Sequence, residues 1–221
     1  MSKRNYYNPG GKRSSRYPNY PLDTVLYYWD DIRVPASSVQ GGAIGGPTFE
    51  KFIDNGAGSQ GVYTNMFDPD TPQEVFFHVQ MPHRYKEGTV LYPHVHWSPT
   101  TNDAGTVKWW IEYTWTNVNS AFPNTVIDTT VSTVVSGSQY LHVIASFDPI
   151  EPDSTPIGSD DKRISSMLMC RLLRQADVPP PDDEYPAKAA LLEVDFHFQI
   201  DAPGSIEAFR KVGNRDTKYR L

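Results

Sequence analysis

Val107-Lys108-Trp109-Trp110-Ile111-Glu112-Tyr113-Thr114-Trp115 alternates apolar and polar side chains almost without a break. Val107, Trp109, Ile111, Tyr113 and Trp115 fall on one side, and Lys108, Glu112, Thr114 and Thr116 on the other, with Trp110 the exception. A period of two is the period of a β-strand, and a helix would repeat near 3.6. One apolar and one polar face describe a strand in a sheet that is packed on one side only.

The same signal recurs outward from this strand. Glu74 to Met81 and Val90 to Trp97 precede it, and the turn Asn102-Asp103-Ala104-Gly105 leads into it. Thr125 to Val135, Tyr140 to Phe147, Ile164 to Leu173 and Leu192 to Ile200 follow, and Val25 to Val34 reads as a first strand. In the last strand Leu192, Val194, Phe196, Phe198 and Ile200 face inward, and Glu193, Asp195, His197 and Gln199 outward. Glycine, proline and aspartate clusters place long loops at 35–60, 148–161 and 176–187. One short helix is expected over Gly204 to Val212, with Ser205 near its start. Strands of this length separated by turns predict an all-β fold. Its form is an antiparallel β-sandwich of the jelly-roll kind, residues 25–221, preceded by an extended arm, residues 1–24.

Composition narrows the function classes. The chain has 221 residues, 38% hydrophobic and 13% aromatic, so a large part of the core must be aromatic. No run approaches eighteen apolar residues, and Met1-Ser2-Lys3-Arg4-Asn5-Tyr6-Tyr7 has no apolar stretch of a secretory signal. No membrane partner is therefore expected. Cys170 is the single cysteine, which excludes an internal disulfide and suits synthesis in a reducing cytoplasm.

The formal charge of -6 is unevenly spread: residues 1–22 carry five cations and no acid, which leaves -11 for the rest. An acidic body is not that of a general nucleic-acid binder. The arm has three readings: a disordered tail, a segment that orders on a neighbouring subunit, and a nucleic-acid contact. Tyr6, Tyr7, Tyr17 and Tyr20, with Arg13 and Arg16, favour the second. Tyr27, Tyr28 and Trp29 extend the same candidate interface.

Gly88-Thr89-Val90-Leu91-Tyr92-Pro93-His94-Val95-His96-Trp97 poses a chemical question. His94 and His96 share one face of a strand, and the Gly-x5-His-x-His spacing resembles the first part of the cupin metal motif. The glutamate that should follow is missing from Trp97-Ser98-Pro99-Thr100-Thr101-Asn102, and so is the second cupin motif. A cupin-like metal enzyme using His94 and His96, with His142 as a further candidate ligand, is thus the minority reading. His197, with Glu193 and Asp195 on its face, is a conceivable addition. The simpler expectation is a half-exposed polar sheet face, with no metal or other cofactor and no catalytic residues.

Other chemistry is thin. There is no Gly-x-Ser-x-Gly elbow, P-loop or Cys-x-x-Cys. Gly56-Ala57-Gly58-Ser59-Gln60-Gly61 matches Gly-x-Gly-x-x-Gly but follows no clear strand and opens no helical pattern. Asp30-Asp31, Asp160-Asp161 and Asp182-Asp183 read as solvated surface, and Trp109-Trp110 as packing rather than a carbohydrate platform.

Three runs carry a resemblance: Gln80-Met81-Pro82-His83-Arg84-Tyr85-Lys86-Glu87-Gly88, Leu91-Tyr92-Pro93-His94-Val95-His96-Trp97 and Ile111-Glu112-Tyr113-Thr114-Trp115. Ile164-Ser165-Ser166-Met167-Leu168, Leu191-Leu192-Glu193-Val194-Asp195-Phe196-His197 and Gly204-Ser205 add to it. Together these resemble a family of uncharacterised virion structural proteins of tailed bacteriophages and prophages. The resemblance implies a location in the virion and no catalytic residues. The role it suggests first is capsid decoration or cementing, with head–tail or tail-fibre attachment as the alternative. Its expected partners are other virion proteins, major capsid or neck and tail subunits, together with copies of the chain itself in a homo-oligomer such as a trimer.

Overall fold

The strand expected at Val107–Trp115 is β7, Gly105–Thr116, and its inward set of Val107, Trp109, Ile111, Tyr113 and Trp115 is buried throughout. The computed structural model describes residues 28–43, 45–152, 162–176 and 182–211. Among these, the strands before β7 are β1 (Tyr28–Pro35), β2 (Gln40–Gly41), β3 (Thr48–Ile53), β4 (Val62–Phe67), β5 (Gln73–Gln80) and β6 (Leu91–Pro99). After it come β8 (Val126–Val134), β9 (Val143–Ser146), β10 (Met167–Arg174) and β11 (Ala189–Ile200).

The pairing is nested. β7 pairs with β8, β6 with β9, β5 with β10 and β4 with β11, all antiparallel. The chain is thus one long hairpin, rolled so that successive pairs alternate between two sheets. One sheet runs β3-β4-β11-β6-β9, with β1 also on β11, and the other runs β2-β5-β10-β7-β8. This is the jelly-roll order, two antiparallel sheets packed as a sandwich.

Between the sheets lies an aromatic core. Trp97, Trp109, Trp115, Tyr85, Phe67, Phe196 and Phe198 are fully buried. Trp109 meets Phe67 edge-on at 5.2 Å and Trp97 at 6.2 Å. The indoles of Trp97 and Trp115 donate to Ser132 Oγ (3.0 Å) and Ser166 Oγ (2.9 Å). Polar edges inside the core are thereby satisfied at those two rings. Cys170 is buried there too, and burial pushes its thiol well above the ordinary range.

Three expectations need correction. Part of the 35–60 stretch, read as loop, is a 3-10 turn and two strands, with β3 pairing β4 across the Gly56–Gly61 connection. The apolar residues of β3, Phe49, Phe52 and Ile53, are few and sit among charges, so alternation there is faint. Gly204 to Lys211 forms bends rather than a helix. Ile206 is fully exposed and Phe209 nearly half exposed, so no apolar stripe is available to offset helix nucleation. Instead the segment is pinned through His83 Nδ1 to Ser205 O at 2.7 Å and through Lys211 to the Tyr85 carbonyl and Asp201. In β11 the register shifts between Leu191 and Glu193, so Leu191 takes the core position predicted for Leu192.

Asp183 also departs from its solvated reading. It forms a bidentate ion pair with Arg174, at 2.7 and 3.1 Å, and both side chains are buried. The Arg174 guanidinium also donates to the carbonyls of Ala187 and Tyr185, and Asp183 Oδ2 accepts the Lys108 N–H. A buried charge pair survives only when its remaining hydrogen-bonding sites are filled in this way.

Candidate functional site

Alternation along β6 sends Leu91, Pro93, Val95 and Trp97 inward and Tyr92, His94 and His96 outward. On β11 the same rule leaves Glu193, Asp195 and His197 on the outer face, and on β1 Trp29, Asp31 and Arg33 join them. Register then aligns these into rows across the sheet. Arg33 lies opposite Asp195, and Asp195 opposite His94. Asp31 lies opposite His197, and His197 opposite Tyr92. Glu193 lies opposite His96, which faces Ile144 on β9, two residues beyond His142.

Four of the six histidines therefore converge around one carboxylate. Asp195 Oδ1 is 3.3 Å from His94 Nδ1 and 3.3 Å from His96 Nε2, and Asp195 Oδ2 is 3.1 Å from His197 Nε2. His96 Nδ1 shares a proton position with His142 Nε2 at 2.7 Å, and the His94 and His197 rings meet edge-on at 4.4 Å. Asp31 Oδ1 approaches His197 Nε2 at 3.3 Å. The rings roof the carboxylate, so Asp195 is 4% exposed although it lies on an outer sheet face.

The electrostatics follow from this crowding. Burial holds His94 below its ordinary value, against the pull of the Asp195 carboxylate, and the neighbouring His197 and His96 act in the same direction as burial. That shift favours a neutral His94 imidazole, the form whose lone pair a metal ion binds. Arg33 makes a two-pronged pair with Glu193, at 2.6 and 2.9 Å. Asp31, Glu193 and Asp195 against Arg33 leave an excess of two negative charges. A groove of about 330 Å³ opens beside the cluster, lined by Asp31, Arg33, His96, His142 and Glu193 among others.

The sequence-predicted residues fare differently. Tyr6, Tyr7, Arg13, Arg16, Tyr17, Tyr20 and Tyr27 lie outside the described residues. Tyr28 and Trp29 open β1, both about half exposed, and Trp29 packs edge-on against Tyr92 at 5.5 Å. His94, His96 and His142 do come together. Sequence reasoning set His197 and Asp195 at the margin and left out Asp31 and Arg33. The missing information was adjacency of strands: the nested order of a jelly roll pairs early with late strands, and it puts β11 between β1 and β6. His94 and His96 point away from the sandwich interior, so the cluster is a surface site and not an enclosed one.

No protein-family model matches this chain, and no curated protein sequence does. Among solved structures it is similar to the isomalto-dextranase of Arthrobacter globiformis T6 in complex with panose, at 14% identity and a TM-score of 0.43. That match covers 75% of this chain and 23% of the dextranase chain.

Proposed function

We propose that this protein is a non-enzymatic structural subunit of a bacteriophage virion, acting in capsid decoration through contacts with neighbouring subunits. One observation carries the reading: large apolar side chains stand exposed along the outer strands of both sheets. Phe49 and Tyr63 stack at 5.7 Å on β3 and β4, with Phe49 65% exposed. Ile53 and Val62 flank them, and Ile127 and Val131 line the edge strand β8 of the other sheet. A monomer seldom leaves such side chains clustered at a sheet edge, where they invite strand addition and aggregation. A subunit that buries them against its neighbours has no such liability. Tyr28 and Trp29, at the start of β1, are exposed as well.

The test is incorporation. A chain lacking residues 1–22 is expected to fold, by circular dichroism and thermal melting, and to be absent from purified particles. Phe49→Ser with Tyr63→Ser is expected to lower occupancy while leaving the fold intact. Normal occupancy by both variants rules out assembly through these surfaces.

A further inference from the structure

We propose that His94, Asp195 and His197 form a binding site for a divalent first-row transition-metal ion. This goes beyond the structural role above and does not depend on it. The three side chains each offer a donor atom, and those atoms lie within 4.8 Å of one another. A tetrahedral ion with bonds near 2.1 Å has ligand–ligand edges of about 3.4 Å. The Asp195 oxygens stand 3.3 Å from His94 Nδ1 and 3.1 Å from His197 Nε2. Each imidazole nitrogen thus stands at coordination spacing from a carboxylate oxygen, His94 from Oδ1 and His197 from Oδ2, before any ion enters.

A second observation points to a ligand. Asp195 Oδ1 and His96 Nε2 are buried, 3.3 Å apart, and neither has a hydrogen-bond partner among the described residues. The Asp195 side chain is 95% buried, being 5% exposed. A buried carboxylate oxygen without a donor is costly unless something positive completes it. Among the described residues no lysine or arginine pairs with that oxygen, and Arg33 is held by Glu193. A metal ion on Asp195 resolves the deficit, and the local excess of negative charge favours a dication.

Donor type selects the ion. Two imidazoles and one carboxylate suit zinc, cobalt, nickel or iron in the divalent state, and disfavour calcium and magnesium, which take oxygen ligands. His96 is a positioning residue, directed at Asp195 Oδ1 and itself held by His142, the kind of outer support that orients metal ligands. His197 is 43% exposed, so the remaining coordination positions open to solvent.

The experiment uses the full chain without an affinity tag, stripped with chelator and titrated with Co²⁺, followed by visible absorption and by Zn²⁺ competition. One saturable equivalent per chain is expected, together with a raised melting temperature. His94→Gln and His197→Gln are each expected to weaken binding by at least about tenfold, the scale on which even outer-shell losses act. His78→Gln, on an exposed histidine of β5 in the other sheet, is expected to leave it unchanged. His197→Gln alters a half-exposed side chain and is expected to fold as the parent does. His142→Gln is expected to shift the Co²⁺ spectrum less than either ligand variant. Absence of saturable binding overturns the proposal. So does equal affinity in the parent and His197→Gln, or an equal loss in His78→Gln.

Discussion

At the residue scale, two buried groups make opposite demands. The Cys170 thiol is sealed by Phe77 and Tyr113, its register partners on β5 and β7, and its burial suppresses the thiolate. It is therefore expected to resist a thiol reagent at pH 8 in the native protein and to react once denaturant unfolds the chain; the time course of modification checks this. Arg174 is charged and also sealed. Arg174→Met leaves the Asp183 carboxylate buried without its cation, and the expected loss is about 3–5 kcal/mol, read from urea unfolding. At the surface, the Glu50 carboxyl is held below its ordinary value near 4.5 by Lys188 and then by the Thr48 hydroxyl. A carboxylate with a lowered folded-state value adds stability above the unfolded value, and loses it as pH falls through the folded one. Glu50→Gln is thus expected to cost at most about 1 kcal/mol at pH 6 and progressively less as falling pH protonates the carboxyl, in parallel melts.

At the element scale, what could be read from the sequence depended on how cleanly a strand alternates. β7 and β10 show their faces because their inward positions are nearly all apolar, in β10 Leu168, Cys170 and Leu172. β3 was hidden because Glu50 and Lys51 interrupt its aromatics, and β2 because two residues carry no period. The histidine cluster was half legible. Alternation assigned His94, His96, Asp195 and His197 to polar faces, yet only register brings β11 against β6, and periodicity carries no register. Asp183 was hidden for another reason: a run of prolines and acids looks solvated whether or not an arginine waits beneath it. The loop that holds it lies close on the start of β7, where a Cβ on Gly105 would stand 2.6 Å from the Tyr185 Cα. Backbone cannot yield as a flexible side chain does. Gly105→Ala is expected to destabilise the fold by about 1–3 kcal/mol, measured by chemical denaturation, and to loosen 182–187 in hydrogen exchange.

At the scale of the whole molecule, the exposed surface differs in character from one group of strands to another. The face over β1, β11 and β6 gathers polar, ionisable groups, while the outer strands β3, β4 and β8 carry exposed apolar ones. The proposed metal site and the proposed assembly surface thereby stand on separate ground, and a variant that disturbs one need not disturb the other. His197→Gln is accordingly expected to leave sedimentation behaviour unchanged, while Phe49→Ser with Tyr63→Ser is expected to reduce self-association and spare Co²⁺ binding.

The nested pairing also sets an order of events during synthesis. Among the described residues β11 comes last in chain order, yet it is the strand against which β1, β4 and β6 all align. Until about residue 200 leaves the ribosome, the strands of that sheet have no centre, and their apolar sides wait in the open. A nascent chain halted before Ala189 is therefore expected to recruit holding chaperones and to precipitate on release, whereas the hairpin of β7 and β8 can close as soon as it emerges.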